Sequence, residues 1–238
     1  MGAQVEFIDN KVQICGPMGL SDKLICVPPD RIVAGSLLFA GLSTGTKVRM
    51  PETIVDQLPG VTQSLALAGV IIDRTNGTVS FNDRVATAQF TVSTGMHPKF
   101  PTDLLPVACG FAAGRKSASF FRENVHPYRW GCLDAIRAMG AGVSREGSFV
   151  RIVGNRKLIS GDFSVSGIRE TCGATIAAMQ AQGLTRILNV NDLKRGYENW
   201  TGWLKSCGVE IAEVQKPYEM ELHQTSKLNL FVEFENSQ

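Results

Sequence analysis

The segment GFAAGRKSASF, Gly110 to Phe120, decides how this chain is read. A run of small apolar residues ends at a glycine, Gly114, and a strand-like stretch follows. Two other segments share that grammar: AGLSTGTKVRM, Ala40 to Met50, and MQAQGLTRILN, Met179 to Asn189. Their glycines, Gly45, Gly114 and Gly183, stand at a constant interval of 69 residues. A second series, Gly69, Gly140 and Gly208, follows 24, 26 and 25 residues further on. Glycine just past an apolar run is the expected end of a helix, where a left-handed residue is wanted. Two features in phase three times define an internal repeat.

Working outward, each repeat opens with a helical run: RIVAGSLLFAGL, LLPVACGFAA or IRETCGATIAAMQAQ. A second helix is marked by spacing such as Leu133, Ile136 and Met139. GVSREGSFVRIVG reads as the closing hairpin, and GDFSVSG supplies an opening strand to the third repeat. The grammar is βαβαββ, three times over, with expected units at about 22–90, 91–158 and 159–215 of a single domain spanning 1–238. Residues before Asp30 and after Val214 fall outside the repeat. The extension 216–238 includes KLNLFVEFE, which alternates like a strand. Alternating strands and helices place the chain in the α/β class.

Composition narrows the function. The chain has 238 residues, 44% hydrophobic, with a formal net charge of +2. No global field draws it to nucleic acid or to an anionic membrane, so an anion site must come from local arginines. The apolar run IVAGSLLFAGL is far short of the roughly 20 residues a membrane span needs. Six cysteines without a CxxC pair are expected to be reduced, buried thiols of a cytoplasmic protein. No residues with metal-ligand spacing are present, so no metal and no cofactor are expected. Arg115 and Lys116 are expected in a solvated turn rather than a nucleic-acid site. Trp200 and Trp203, three apart, read as packing residues.

GMHPKFPTDLLP, Gly95 to Pro106, places one carboxylate, Asp103, behind two prolines and ahead of an apolar run. Asp103 can be the N-cap of a helix beginning at Leu104. It can equally be a carboxylate held by restricted backbone to take a proton from a substrate hydroxyl.

The βαβαββ repeats, PPDRIVAG, HPKFPTDLLP and RGYENWTGWLKSCGVEI together resemble the enolpyruvyl transferases, whose members include UDP-N-acetylglucosamine and 3-phosphoshikimate carboxyvinyltransferases. The resemblance covers about residues 30–214 and matches the second of that family's two domains. It implies an inside-out α/β barrel of three units, with helices inside and sheets outside. It also implies a first domain, supplied in cis or in trans, across a catalytic cleft. The implied reaction moves an enolpyruvyl group from phosphoenolpyruvate to an acceptor hydroxyl and releases phosphate.

On that resemblance Asp103, Arg129 and Arg195 are the expected catalytic residues, and Arg169 and His126, with Asp103, the expected substrate-binding ones. Arginine suits planar carboxylate and phosphate groups. The sequence departs from the family pattern at Gly167, where an aspartate is expected. The run from Asp103 to Gly114 is one helical turn short, and the loop bearing Arg129 is longer. These departures point to a uridine-nucleotide-type acceptor, as in the antibiotic-pathway branch of the family, rather than the ordinary cell-wall sugar nucleotide. The isolated chain is expected to turn nothing over. The alternative is a ligand-binding or scaffold module that keeps only the fold.

Overall fold

A computed structural model of the chain describes residues 2–9, 11–16, 19, 21–83, 88–154, 157–214, 219–223 and 230–231. The chain opens with a hairpin of β1 (Gln4–Ile8) and β2 (Lys11–Cys15). The first repeat contains α1 (Arg31–Ser43), β3 (Val48–Pro51), α2 (Glu52–Val55), α3 (Pro59–Leu67), β4 (Ile71–Thr75) and β5 (Thr78–Asn82). The second contains β6 (Phe90–Ser93), α4 (Leu105–Ala113), β7 (Ala118–Arg122), α5 (Leu133–Ala138), β8 (Gly142–Glu146) and β9 (Phe149–Val153). After β10 (Leu158–Ile159), the third contains β11 (Asp162–Ser164), α6 (Ile168–Ala178), β12 (Ala181–Gln182), β13 (Thr185–Leu188), α7 (Trp200–Ser206), β14 (Glu210–Val214) and β15 (Glu219–His223). The last described strand is β16 (Leu230–Phe231).

The fold is mixed α/β. Each repeat owns a four-stranded sheet, with orders β16-β3-β5-β4, β6-β7-β9-β8 and β11-β13-β15-β14. In every sheet the first pair is parallel and the other two are antiparallel. Two expected boundaries are corrected. The third repeat does not stop at 215, because β15 lies between β13 and β14 in its sheet. The first repeat does not draw its opening strand from its own start: β16, from the expected extension, runs parallel to β3, with Leu230 opposite Val48. Parallel neighbours are joined by a crossover of a dozen residues or more, so adjacency in sequence does not set which strand fills that edge.

α1, α4 and α6 meet in the interior, and all nine residues of α4 are buried. A helix that is apolar all round belongs inside. The approach of α4 to α6 demands glycine. A Cβ on Gly110 would stand 2.1 Å from the Gly173 carbonyl oxygen, and one on Gly173 2.3 Å from that of Pro106. Phe39, Phe90 and Phe111 fill the space between the first two repeats, with ring centroids 5.4–6.1 Å apart. α4 has 9 residues against 13 in α1, the one-turn deficit expected from the sequence.

Arg115 overturns its expected solvated turn. It is buried, its guanidinium 2.6 Å from Asp83, and it also donates to the carbonyls of Ala68 and Ala88. The guanidinium carbon lies 5.0 Å from the centre of the Phe111 ring. Arg115 follows Gly114 at the seam between repeats, where it serves the Ala68 carbonyl and shares the Ala88 carbonyl with the Ser117 hydroxyl, which donates to it at 2.7 Å. The cysteines divide: Cys109, Cys132, Cys172 and Cys207 are buried, whereas Cys15 and Cys26 are exposed, against expectation. The exposed pair lies ahead of α1, outside the packed repeats. Among the described residues, no helix is long and apolar enough to cross a membrane.

Candidate active site

Asp103 sits in a 3-10 turn, Thr102–Leu104, directly ahead of α4. It does not cap that helix: the N-cap position is Leu104, with no side-chain bond. The Asp103 carboxylate turns instead to two arginines from different repeats. Arg129 Nη1 donates to Oδ1 at 2.8 Å. Arg169 Nε donates to Oδ2 at 3.1 Å, with Nη2 at 3.0 Å from the same oxygen. The carboxylate stays about one-third exposed while both guanidiniums are mostly buried. Oδ2 is thus occupied on both lone pairs, and Oδ1 keeps one free. Two cations against one anion leave a net positive site open to solvent.

Arg169 is locked from behind. Its Nη1 donates to the Tyr197 hydroxyl at 3.3 Å, and that hydroxyl lies 2.8 Å from Ser36 Oγ inside the core. Burial works against the Arg169 charge, but Tyr197 and Asp103 outweigh it and raise its pKa above the usual value. Burial pushes the Tyr197 phenol well above its ordinary range, so it stays protonated. The lock draws on all three repeats: Ser36 from the first, Asp103 from the second, Arg169 and Tyr197 from the third.

Glu123 fixes the other side. It is buried at the end of β7 and accepts four hydrogen bonds: from Thr94 and Thr102 hydroxyls at 2.8 Å, and from the backbone of Val125 at 2.6 Å and His126 at 2.8 Å. Thr102 immediately precedes Asp103, and His126 begins the turn that carries Arg129. One carboxylate therefore ties down both loops.

The expected residues do not all converge. Asp103, Arg129 and Arg169 come together. Arg195 is exposed and pairs with Asp192 at 3.3 Å. The other Asp192 oxygen accepts from the Gly167 amide at 3.3 Å. His126 is exposed, with its ring edge-on to Tyr128. Gly167 has φ +95°, a conformation that disfavours any side chain, and a Cβ there would lie 2.5 Å from a Glu170 carboxylate oxygen. Sequence reasoning missed Glu123, Ser36 and Tyr197. Tyr197 lies within the RGYE phrase, Arg195 to Glu198, but the reading took its arginine. A concavity of about 800 Å³ lies elsewhere, on the outer face of the second sheet beside Phe120, Arg122, Phe149 and Arg151, away from Asp103.

A family model described as EPSP synthase (3-phosphoshikimate 1-carboxyvinyltransferase) matches residues 1–204. The chain belongs to the EPSP synthase family. Members similar to it include UDP-N-acetylglucosamine 1-carboxyvinyltransferase from Wolbachia sp. subsp. Drosophila simulans, 29% identical over 89% of this chain and 50% of the relative. The Kosmotoga olearia protein of the same name is 32% identical over 77% of this chain and 44% of the relative. The chain spans about half the length of these curated relatives. Among solved structures, the enolpyruvyl transferase NikO from Streptomyces tendae shares the fold with a TM-score of 0.76 at 22% identity, over 91% of this chain and 52% of that one. An EPSP synthase from Acinetobacter baumannii gives 0.61 at 17% identity, over 87% and 48%.

Proposed function

We propose that this chain is the acceptor-binding half, carrying Asp103, of an enolpyruvyl (carboxyvinyl) transferase. It moves enolpyruvate from phosphoenolpyruvate to a hydroxyl of a nucleotide or sugar-nucleotide. The observation that carries the reading is the Asp103 carboxylate held between Arg129 and Arg169 and still about one-third exposed. Family membership supports the reaction class. The central helices and surrounding sheets support the inside-out barrel form, as one lobe of a pair.

In this reading the free lone pair of Asp103 Oδ1 receives the acceptor hydroxyl and takes its proton as the oxygen attacks the enolpyruvyl carbon. Arg129 spends one donor on Asp103, and its remaining donors hold a carboxylate or phosphate oxygen. Arg169 positions Asp103 more than it binds substrate, since its three nitrogens already face Asp103 and Tyr197. Arg195, exposed and paired with Asp192, stands outside this cluster and reaches the anion only by leaving Asp192. His126 lies beside the acceptor on the longer loop, whose length favours a uridine-nucleotide acceptor. The acid that protonates the methylene carbon comes from the companion lobe, so this chain alone releases no phosphate.

The test is phosphate release from phosphoenolpyruvate with uridine monophosphate or UDP-N-acetylglucosamine, for the chain alone and joined to a companion lobe. Turnover should require both lobes and should fall by about 1,000-fold or more in Asp103→Asn, the upper part of the general-base range. Turnover by the chain alone, or an unaffected Asp103→Asn enzyme, defeats the reading.

A further inference from the structure

The outer face of the second sheet carries a pattern that the proposed reaction does not use. Strand alternation turns Val92, Phe121, Val150 and Ile152 into the core, where all four are buried. Phe120, Arg122, Phe149 and Arg151 therefore share the opposite face. Register sets them in two cross-strand pairs, Phe120 opposite Arg151 and Arg122 opposite Phe149. Opposed side chains start about 5 Å apart, and the two phenylalanines, on a diagonal, about 7–8 Å apart. The Arg122 guanidinium carbon lies 5.0 Å from the centre of the Phe149 ring. Phe120 and Phe149 stay 37 and 53% exposed, so the core does not need their rings.

These groups line the concavity of about 800 Å³, within the size range of ligand sites. Its charged lining is three arginines, Arg122, Arg145 and Arg151, against Glu146. Arg145 is engaged by the backbone, donating to the Gly147 and Pro127 carbonyls. Arg122 and Arg151 have no carboxylate partner among the described residues. The third sheet gives the contrast: its outward Arg186 pairs with Asp162 at 3.6 Å. Thr91 and Ser144 add hydroxyls at the two ends of the row formed by Phe120 and Arg151.

We propose that this face binds single-stranded RNA, with a base on each ring and a phosphate at each guanidinium. A ring beside a cation, twice over, fits a ligand that repeats a planar group and a negative charge. A mononucleotide would use one pair only, and an acidic peptide would leave the rings unmatched. A duplex hides its base faces in its own stack. Four-stranded sheets with exposed aromatics are a recurrent platform for unstacked bases. The Thr91 and Ser144 hydroxyls suit the 2′-hydroxyl, which both donates and accepts. A net charge of +2 excludes a long-range pull on nucleic acid but not this local contact. The site shares no residue with the Asp103 cluster and does not depend on the proposed reaction.

The test is fluorescence anisotropy of a labelled oligouridine titrated with the 238-residue chain. Affinity should fall about tenfold in Phe120→Leu and in Phe149→Leu, which keep bulk but lose the ring. Phe149→Tyr keeps the ring and should bind within about twofold of wild type. Between about 50 and 200 mM salt the log–log slope should be near −1.4, for two phosphates, and about −0.7 in Arg122→Gln or Arg151→Gln. Oligodeoxyuridine should bind at least about threefold more weakly, the worth of one lost hydrogen bond. Arg129→Gln should bind as wild type does, which separates this face from the anion site at Asp103. The substituted sheet residues are exposed, and melting within about 2 °C of wild type verifies that each variant is folded. Should a leucine variant melt lower, the two arginine variants and Phe149→Tyr carry the test. The proposal is overturned by any of four results: no saturable binding, folded leucine variants that bind as wild type does, equal affinity for the deoxy oligomer or a duplex, or loss of binding in Arg129→Gln. Oligoglutamate that displaces the probe as well as unlabelled oligouridine does makes the face a general anion surface and also overturns it. Phosphate release is not measured, so this idea and the catalytic reading fail separately.

Discussion

Glu123→Ala tests the claim that one buried carboxylate holds both site loops. The side chain is 3% exposed and accepts from two hydroxyls and two backbone amides. Alanine leaves four donors without their acceptor, each costing about 1–3 kcal/mol if it stays buried. The Val125 and His126 amides lie in exposed loop and regain water cheaply. The Thr94 and Thr102 hydroxyls are less accessible, and the two can rotate to other acceptors. The expected net loss is about 3–5 kcal/mol, within the range for breaking a buried hydrogen-bond network. In a chain of this length that lowers melting by about 6–20 °C, at 2–4 °C per kcal/mol. Glu123→Gln is milder. Its carbonyl oxygen can keep the three bonds now made to Oε1, and its amide can donate to Thr102. The cost is the charge assistance, about 1–2 kcal/mol or 2–8 °C. Calorimetric melting of the three proteins measures both shifts. Amide exchange should also quicken at Thr102 to Leu104 and at His126 to Trp130. If Glu123→Ala melts within about 2 °C of wild type, the carboxylate does not hold the loops.

Asp83→Ala leaves Arg115 buried without its anion and should cost about 3–5 kcal/mol, read by chemical denaturation; Arg115→Met in the same background should recover part of it. Thiol titration at pH 8 should find two fast cysteines, Cys15 and Cys26, with the other four reacting only on unfolding. Burial raises Cys172 and Cys207 to about 12, so they carry no thiolate at that pH, and raising it to 9 should not make them fast. Deleting residues 224–238 removes β16 and opens the β3 edge, so the truncated chain should melt lower and associate, as sedimentation would show. Tyr197→Phe removes the hydroxyl between Ser36 and Arg169 and should cost about 1–3 kcal/mol by the same denaturation assay.

Periodicity and glycine spacing made the architecture legible. Gly69, Gly140 and Gly208, each two residues past a helix, the hairpin at Gly142–Val153 and the shortened α4 follow from local rules, because helix ends, strand alternation and turns are set by neighbours in sequence; Gly183 instead follows β12, since α6 already stops at Ala178. Contacts between distant segments decided the rest. Arg115 reads as a surface residue until the fold sets it beside Asp83, and Asp103 reads as a cap until Arg129 arrives from a loop and Arg169 from the first turn of α6. β16 completes a sheet that begins some 180 residues earlier, at β3. Glu123 shows no pattern at all, since its four donors come from three separate stretches. Charge pairing and hydrogen bonding act across a few ångströms of space, and only the packing of the three repeats determines which residues share them.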